Sequence, residues 1–114
     1  MRIGIDIQNV RTISKMERFF TGSELDYLKN KNNAPDSIMG LYAAKEAFFK
    51  AIKTGIQKNQ LLNVEILHEE SGAPYINLLG ELKEKHSGYD IHLSISHTKS
   101  TAVAVCIMTA NASI

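Results

Sequence analysis

The chain has no tryptophan, two prolines and a single cysteine in 114 residues. One cysteine excludes an intrachain disulfide and a thiolate zinc cluster within one chain. Cys106 lies in the apolar run 103–108, where a buried core thiol is the common outcome. Few prolines, with 44% apolar and 22% charged residues, exclude a disordered, collagenous or low-complexity chain. No apolar stretch reaches the roughly 18 residues of a membrane-spanning helix. The opening Met1-Arg2-Ile3-Gly4-Ile5-Asp6 lacks the long apolar region of a signal peptide, so a cytoplasmic location is expected. Also missing are a Gly-x-Gly-x-x-Gly turn, a Walker loop, a His-Glu-x-x-His helix and a Gly-x-Ser-x-Gly elbow.

The length predicts one domain over residues 1–114. A domain of this size buries only about two-thirds of its unfolded surface, so a site shared between subunits is easier to build than a deep private cavity. The net charge of +1 hides an asymmetry. Residues 1–60 hold ten Lys/Arg against six Asp/Glu; residues 61–114 hold three against six. The basic half suits an anionic ligand or acidic partner, and the excess is too small for general nucleic-acid binding.

Residues 2–7 alternate, with Ile3, Ile5 and Ile7 opposite Arg2, Gly4 and Asp6. This predicts a strand with the isoleucine row buried and Asp6 pointing away from it. Over residues 10–20 the apolar spacing becomes helical, which sets Arg11, Lys15 and Arg18 on one stripe. That stripe is a solvated face or a docking surface. A short helix follows with Ser23 as its cap, then a loop over 30–36. A long helix capped by Asp36 or Ser37 runs to about residue 53, with Ile38, Leu41, Tyr42, Phe48, Phe49 and Ile52 on its apolar stripe. Lys45 interrupts that stripe; it snorkels or meets an anion there. Strands are predicted over 62–67 and 74–78, a short helix over 80–86, and a hairpin over 91–96 and 101–108. The expected class is α+β: a mainly antiparallel sheet packed with a long central helix.

Three constellations can carry chemistry. Gly4-Ile5-Asp6-Ile7 places a carboxylate on a strand, beside a glycine that admits another backbone; a hard cation suits it. Ala43-Ala44-Lys45-Glu46-Ala47-Phe48-Phe49-Lys50-Ala51 sets a carboxylate and lysines among small residues on a helix, which suits phosphoryl-type transfer. Glu46 and Lys50 are also an ordinary i,i+4 ion pair. Ser94-Ile95-Ser96-His97-Thr98 ends a strand in hydroxyls and an imidazole, groups that bind phosphate or ribose oxygens and also make polar turns.

In this order, these motifs resemble the small homotrimeric holo-[acyl-carrier-protein] synthases of the 4′-phosphopantetheinyl transferase superfamily. Phe20-Thr21-Gly22-Ser23-Glu24-Leu25 and Gly72-Ala73-Pro74-Tyr75-Ile76 fit as well, and the match spans residues 1–108. The resemblance implies transfer of the 4′-phosphopantetheine arm of coenzyme A to a serine of apo-acyl carrier protein, releasing adenosine 3′,5′-bisphosphate, in fatty-acid or polyketide carrier activation. It implies Mg²⁺ on Asp6 and Glu46, a catalytic set of Asp6, Glu46 and Lys50, and coenzyme A contacts from Lys45, Lys50, Ser96, His97 and Thr98. It implies docking of the acidic carrier on Arg11, Lys15 and Arg18, and a trimer with sites between subunits, without nucleic acid or membrane. The family usually has Glu, Arg and Arg where this chain has Asn9, Thr12 and Leu41, with Arg11 a stand-in for the second. A non-catalytic module binding coenzyme A or a carrier protein is the alternative.

Overall fold

The computed structural model describes residues 1–111, so the last three residues of the expected 1–114 domain lie outside the described residues. In chain order come β1 (Arg2–Asn9), α1 (Gly22–Asn30), α2 (Pro35–Ala51), β2 (Val64–His68), β3 (Pro74–Leu78), α3 (Gly80–His86), β4 (Tyr89–His97) and β5 (Thr101–Ala110). Short 3₁₀ turns occupy Met16–Arg18 and Lys58–Asn63. β1, β5 and β4 form an antiparallel sheet in the order β1-β5-β4, and β2 and β3 form a separate antiparallel hairpin. The expected α+β class, with an antiparallel sheet and a long helix, is what is found.

α2 is the core. Pro35 opens it with a preset φ, in place of the expected Asp36 or Ser37 cap. It lies against the inner face of the sheet, where Ala102, Ala104, Cys106 and Met108 of β5 are buried. Phe48 and Phe49 are fully buried, and so are Ala43, Ala44, Ala47 and Ala51. Burial pushes the Cys106 thiol up to about 12, so it is protonated core filling, not a nucleophile. α1 starts one residue pair earlier than expected: Thr21, not Ser23, is its cap, in a reciprocal capping box with Glu24.

Two expectations are corrected. The isoleucine row of β1 is not buried within the chain: Ile3, Ile5 and Ile7 are 55%, 60% and 68% exposed, while Gly4 and Asp6 face α2. Alternation fixes which residues share a face, and here backbone proximity decides which face turns inward. A Cβ on Gly4 would lie 1.9 Å from the Ala47 carbonyl oxygen and 2.5 Å from the Ala51 nitrogen. Only glycine lets β1 sit this close to α2. The second correction concerns residues 10–20, which form no helix. The segment is extended and irregular apart from the single turn at Met16–Arg18, which follows Lys15 at φ 57°. Thr12, Ile13 and Ser14 are weak helix formers, and nothing on this stretch offsets nucleation. Arg11, Lys15 and Arg18 are all exposed, but they do not share a helical stripe.

Gly4→Ala should therefore destabilise the protein by about 3 kcal/mol or prevent folding, since backbone atoms must move. Gly22→Ala, with nothing within 4 Å of its added Cβ, should be neutral or stabilise by about 0.4–1 kcal/mol. Chemical denaturation of the two variants checks both.

Candidate active site

The close approach of β1 to α2 brings Asp6 to Glu46. Asp6, 5% exposed, accepts from Lys50 Nζ at 2.9 Å through Oδ1. Its Oδ2 accepts from Gln8 Nε2 at 2.7 Å, and the same nitrogen donates to Glu46 Oε2. Gln8 Oε1 in turn accepts from Arg11 Nη1 at 3.1 Å, and that nitrogen also donates to the Asn9 carbonyl at 2.9 Å. Tyr42, one helical turn before Glu46, hydrogen-bonds its carboxylate. Of the residues read from the sequence as a centre, Asp6, Glu46 and Lys50 are brought together, with Arg11 beside them. Gln8 and Tyr42 were missed. Spacing could have found them: Gln8 shares the Asp6 face at i+2, and Tyr42 shares the Glu46 face at i−4.

Glu46 is pushed up to about 7. Partial burial is the largest cause; hydrogen bonding and repulsion from the Asp6 carboxylate add to it, and Tyr42 and Lys50 oppose it. Two carboxylates bridged by a neutral amide, with one lysine on Asp6, carry more negative charge than their surroundings neutralise. Hard oxygen donors that hold surplus charge suit a divalent cation of the Mg²⁺ type. No third His, Cys, Asp or Glu joins them among the described residues. Two protein carboxylates with the remaining positions left to water and phosphate is how Mg²⁺ is usually held, so the donor set fits that ion.

Lys45 is the main correction. It is fully buried, and its Nζ donates to Glu24 Oε1 at 2.7 Å and to the Leu61 carbonyl at 2.9 Å. Glu24 Oε2 accepts from the Ile66 amide at 2.8 Å. The ammonium is enclosed and has its own counterion, so it cannot reach a phosphate.

The C-terminal motif divides. His97 is half exposed, with Nδ1 3.3 Å from Asp36 Oδ2. It lines a cleft of about 170 Å³ with Ser37, Gly40, Leu41 and Ile95. Gly40 keeps the cleft open: a Cβ there would lie 3.3 Å from the Ile95 side chain. Tyr27 stacks on His68 at its far wall, ring centroids 3.9 Å apart. Ser96, opposite Val103, sits on the outer face of the sheet and not in this cleft. Thr98 Oγ1 accepts from the Ser100 and Thr101 amides and shapes the β4–β5 turn. A hollow of about 310 Å³ is lined by Arg11, Thr12, Ile13, Ser14, Phe19 and Tyr42, and Arg11 and Tyr42 connect it to Gln8 and Glu46.

A strand carboxylate and a helix carboxylate joined through one amide, beside a lysine, define a class: an α+β protein whose paired oxygen donors suit a hard cation. Comparisons narrow it. The family model of the 4′-phosphopantetheinyl transferase superfamily matches residues 2–106. Holo-[acyl-carrier-protein] synthases from Treponema denticola and Clostridium kluyveri are 40% and 37% identical, over 93% of this chain and 95% and 87% of those proteins. The crystal structure of the Helicobacter pylori holo-[acyl-carrier-protein] synthase with coenzyme A superposes with a TM-score of 0.79 at 34% identity, over 94% of this chain and 99% of that one. The Bacillus anthracis enzyme, in complex with CoA (3′,5′-ADP), gives 0.81 at 33% identity, over 96% of each chain. The chain belongs to the holo-[acyl-carrier-protein] synthase family of that superfamily.

Two predictions follow from the buried pair and the raised carboxyl. Lys45→Met should cost about 3–5 kcal/mol, because it strands the Glu24 carboxylate. Lys45→Met with Glu24→Gln should recover most of it. A phosphate ligand would behave otherwise, losing activity with an unchanged denaturation midpoint. Glu46 titrates higher folded than its ordinary 4.5, so the stability it contributes is fully present below about 4.5 and lost as pH rises to about 7. Asp6→Asn removes the facing charge. The Glu46 midpoint, followed by carbon NMR, should then fall, staying above the usual carboxylate range because burial remains.

Proposed function

We propose that this chain is a holo-[acyl-carrier-protein] synthase: it moves the 4′-phosphopantetheine group of coenzyme A onto a serine hydroxyl of apo-acyl carrier protein and releases adenosine 3′,5′-bisphosphate. The observation that carries this reading is the meeting of Asp6, Glu46 and Lys50 across the β1–α2 contact. We place the reaction in the cytoplasm, in carrier activation for fatty-acid synthesis, with residues 1–114 acting as one domain.

The serine oxygen forms a bond to the phosphorus that carries pantetheine, and the bond from that phosphorus to the bridging diphosphate oxygen breaks. Asp6 and Glu46 would hold Mg²⁺, which when bound neutralises charge on the diphosphate. Lys50, 53% exposed at its side chain, reaches from Asp6 to the diphosphate and shares that charge. Glu46, beside the diphosphate site, is the candidate group to remove the serine proton through a water. His97 and the Gly40 cleft suit the adenosine 3′-phosphate end. The hollow beside Tyr42 would admit the acceptor serine, with exposed Arg11, Lys15 and Arg18 along its approach to meet an acidic carrier. Ser96 and Thr98 would act, if on coenzyme A, from the outer face and the turn.

The outer face supports a homotrimer with sites between subunits. Ile3, Ile5 and Ile7 pair in register with Ile107, Val105 and Val103, which gives a continuous apolar strip across β1 and β5, bordered by His92, Ser94 and Ser96 of β4. A bare face of this kind marks a protein interface. Ile5→Asp should yield monomers by light scattering, with loss of transfer.

The direct test is incubation with coenzyme A, Mg²⁺ and apo-acyl carrier protein, read by intact mass. Full conversion is expected. Asp6→Asn and Glu46→Gln should each lower the rate by more than about 100-fold, beyond what the loss of an outer-shell partner costs, with folding intact. Binding of coenzyme A without any mass gain across a panel of carriers would instead favour the non-catalytic module.

A further inference from the structure

Gln8 is unexplained by the reading above. It lies on the inner face of β1, two residues after Asp6, and its Nε2 donates to Asp6 Oδ2 and Glu46 Oε2 at once. One neutral side-chain atom thus sits between two carboxylates and partly offsets their repulsion. A cation shared by those carboxylates cannot coexist with N–H groups turned toward it. The terminal torsion of a glutamine is broad and two-fold, so a half-turn of the amide is inexpensive. That half-turn brings Oε1 to the carboxylates in place of Nε2, and amide oxygens are ordinary ligands of hard cations. No further acidic or imidazole donor is available there among the described residues.

The other end of the amide carries the consequence. Oε1 now accepts from Arg11 Nη1 at 3.1 Å. After the half-turn an NH₂ would face the guanidinium, donor against donor, and Arg11 must leave. It is exposed and lines the hollow through which the anionic substrates approach.

We propose that Gln8 exchanges roles: its amide nitrogen bridges Asp6 and Glu46 while its oxygen holds Arg11, and when a divalent cation binds the amide turns to become a third oxygen ligand and frees Arg11 for an anionic partner. This rests on the reading that Asp6 and Glu46 hold a divalent cation.

The test is Mn²⁺ titration followed by electron paramagnetic resonance, with coenzyme A present and the carrier protein omitted so that no turnover occurs. Gln8→Leu should weaken Mn²⁺ binding by about tenfold, within the range for groups supporting a metal site. Gln8→Glu, adding a third carboxylate, should tighten it by a similar factor. Thermal unfolding of both variants keeps a folding defect apart from a loss of ligation. In the unmodified protein, Mg²⁺ should shift the Gln8 side-chain amide and the Arg11 guanidinium resonances together in ¹⁵N NMR. Gln8→Leu binding Mn²⁺ as tightly as the unmodified chain, or more tightly, would overturn the proposal, since the amide would then be a bystander or a competitor. Unchanged Gln8 and Arg11 resonances on Mg²⁺ saturation would also overturn it. Absence of Mn²⁺ binding by the unmodified chain would overturn both the proposal and the cation reading beneath it.

Discussion

The site depends on a contact without side chains: the backbone of β1 at Gly4 lies against the Ala47 carbonyl and Ala51 amide of α2. A strand normally stands about 10 Å from a packed layer because side chains fill the gap. Removing them at Gly4, Ala43, Ala44, Ala47 and Ala51 lets the elements close up. Once they do, a carboxylate on β1 and one on α2 must meet. Burial first, and the facing Asp6 carboxylate after it, hold the Glu46 proton up to about 7. Packing forces together two charges that would otherwise separate, and the stored repulsion is what a cation relieves. Lys50 and the Gln8 amide moderate it in the meantime.

α2 can serve this purpose only if it is fixed along its length. The fully enclosed Lys45–Glu24 pair does this from the opposite side of the helix. Glu24 takes one bond from Lys45, one from the Ile66 amide and one from the Thr21 amide, so a single carboxylate joins α1, α2 and β2. Burial raises Glu24 and lowers Lys45 relative to their ordinary values, so each group relies on the other and on these backbone partners. An apolar pair would pack there without specifying a rotation of α2. A hydrogen-bonded ion pair does specify it, and that rotation aims Glu46 and Lys50 at β1.

Much of this was legible in the residues. Gly4 next to Asp6 announced a close backbone approach, and the alanines around Lys45 announced room on the helix; the visitor is β1 itself rather than a ligand. What misled was symmetric information. Period 2 in β1 separates isoleucines from Gly4 and Asp6, but hydrophobicity alone sends the isoleucines inward, and only a partner surface can reverse that. Lys45 on an apolar stripe was correctly odd, but its counterion, Glu24, lies on another helix 21 residues away, where local spacing cannot reach. Over 10–20 the apolar spacing was helical while the residue types were not, and the types prevailed. Gln8 carried no charge, so a search for charged chemistry passed over it.

The reversal of β1 ties assembly to chemistry. A strand has two faces, and here neither is idle: the inner one supplies Asp6 and Gln8, and the outer one presents Ile3, Ile5 and Ile7. Asp6 lies between Ile5 and Ile7 on the same short stretch of backbone, so displacing either isoleucine moves the strand that positions the carboxylate. The inner face offers no slack, because Gly4 is already in contact with α2. In the proposed trimer, neighbouring subunits would press on the outer face and hold β1 against the helix from behind. A lone protomer would keep every residue of the centre while losing the pressure that keeps the two carboxylates together. On this view subunit contact is a condition of the chemistry, because the strand that carries Asp6 is also the strand that would carry the proposed interface.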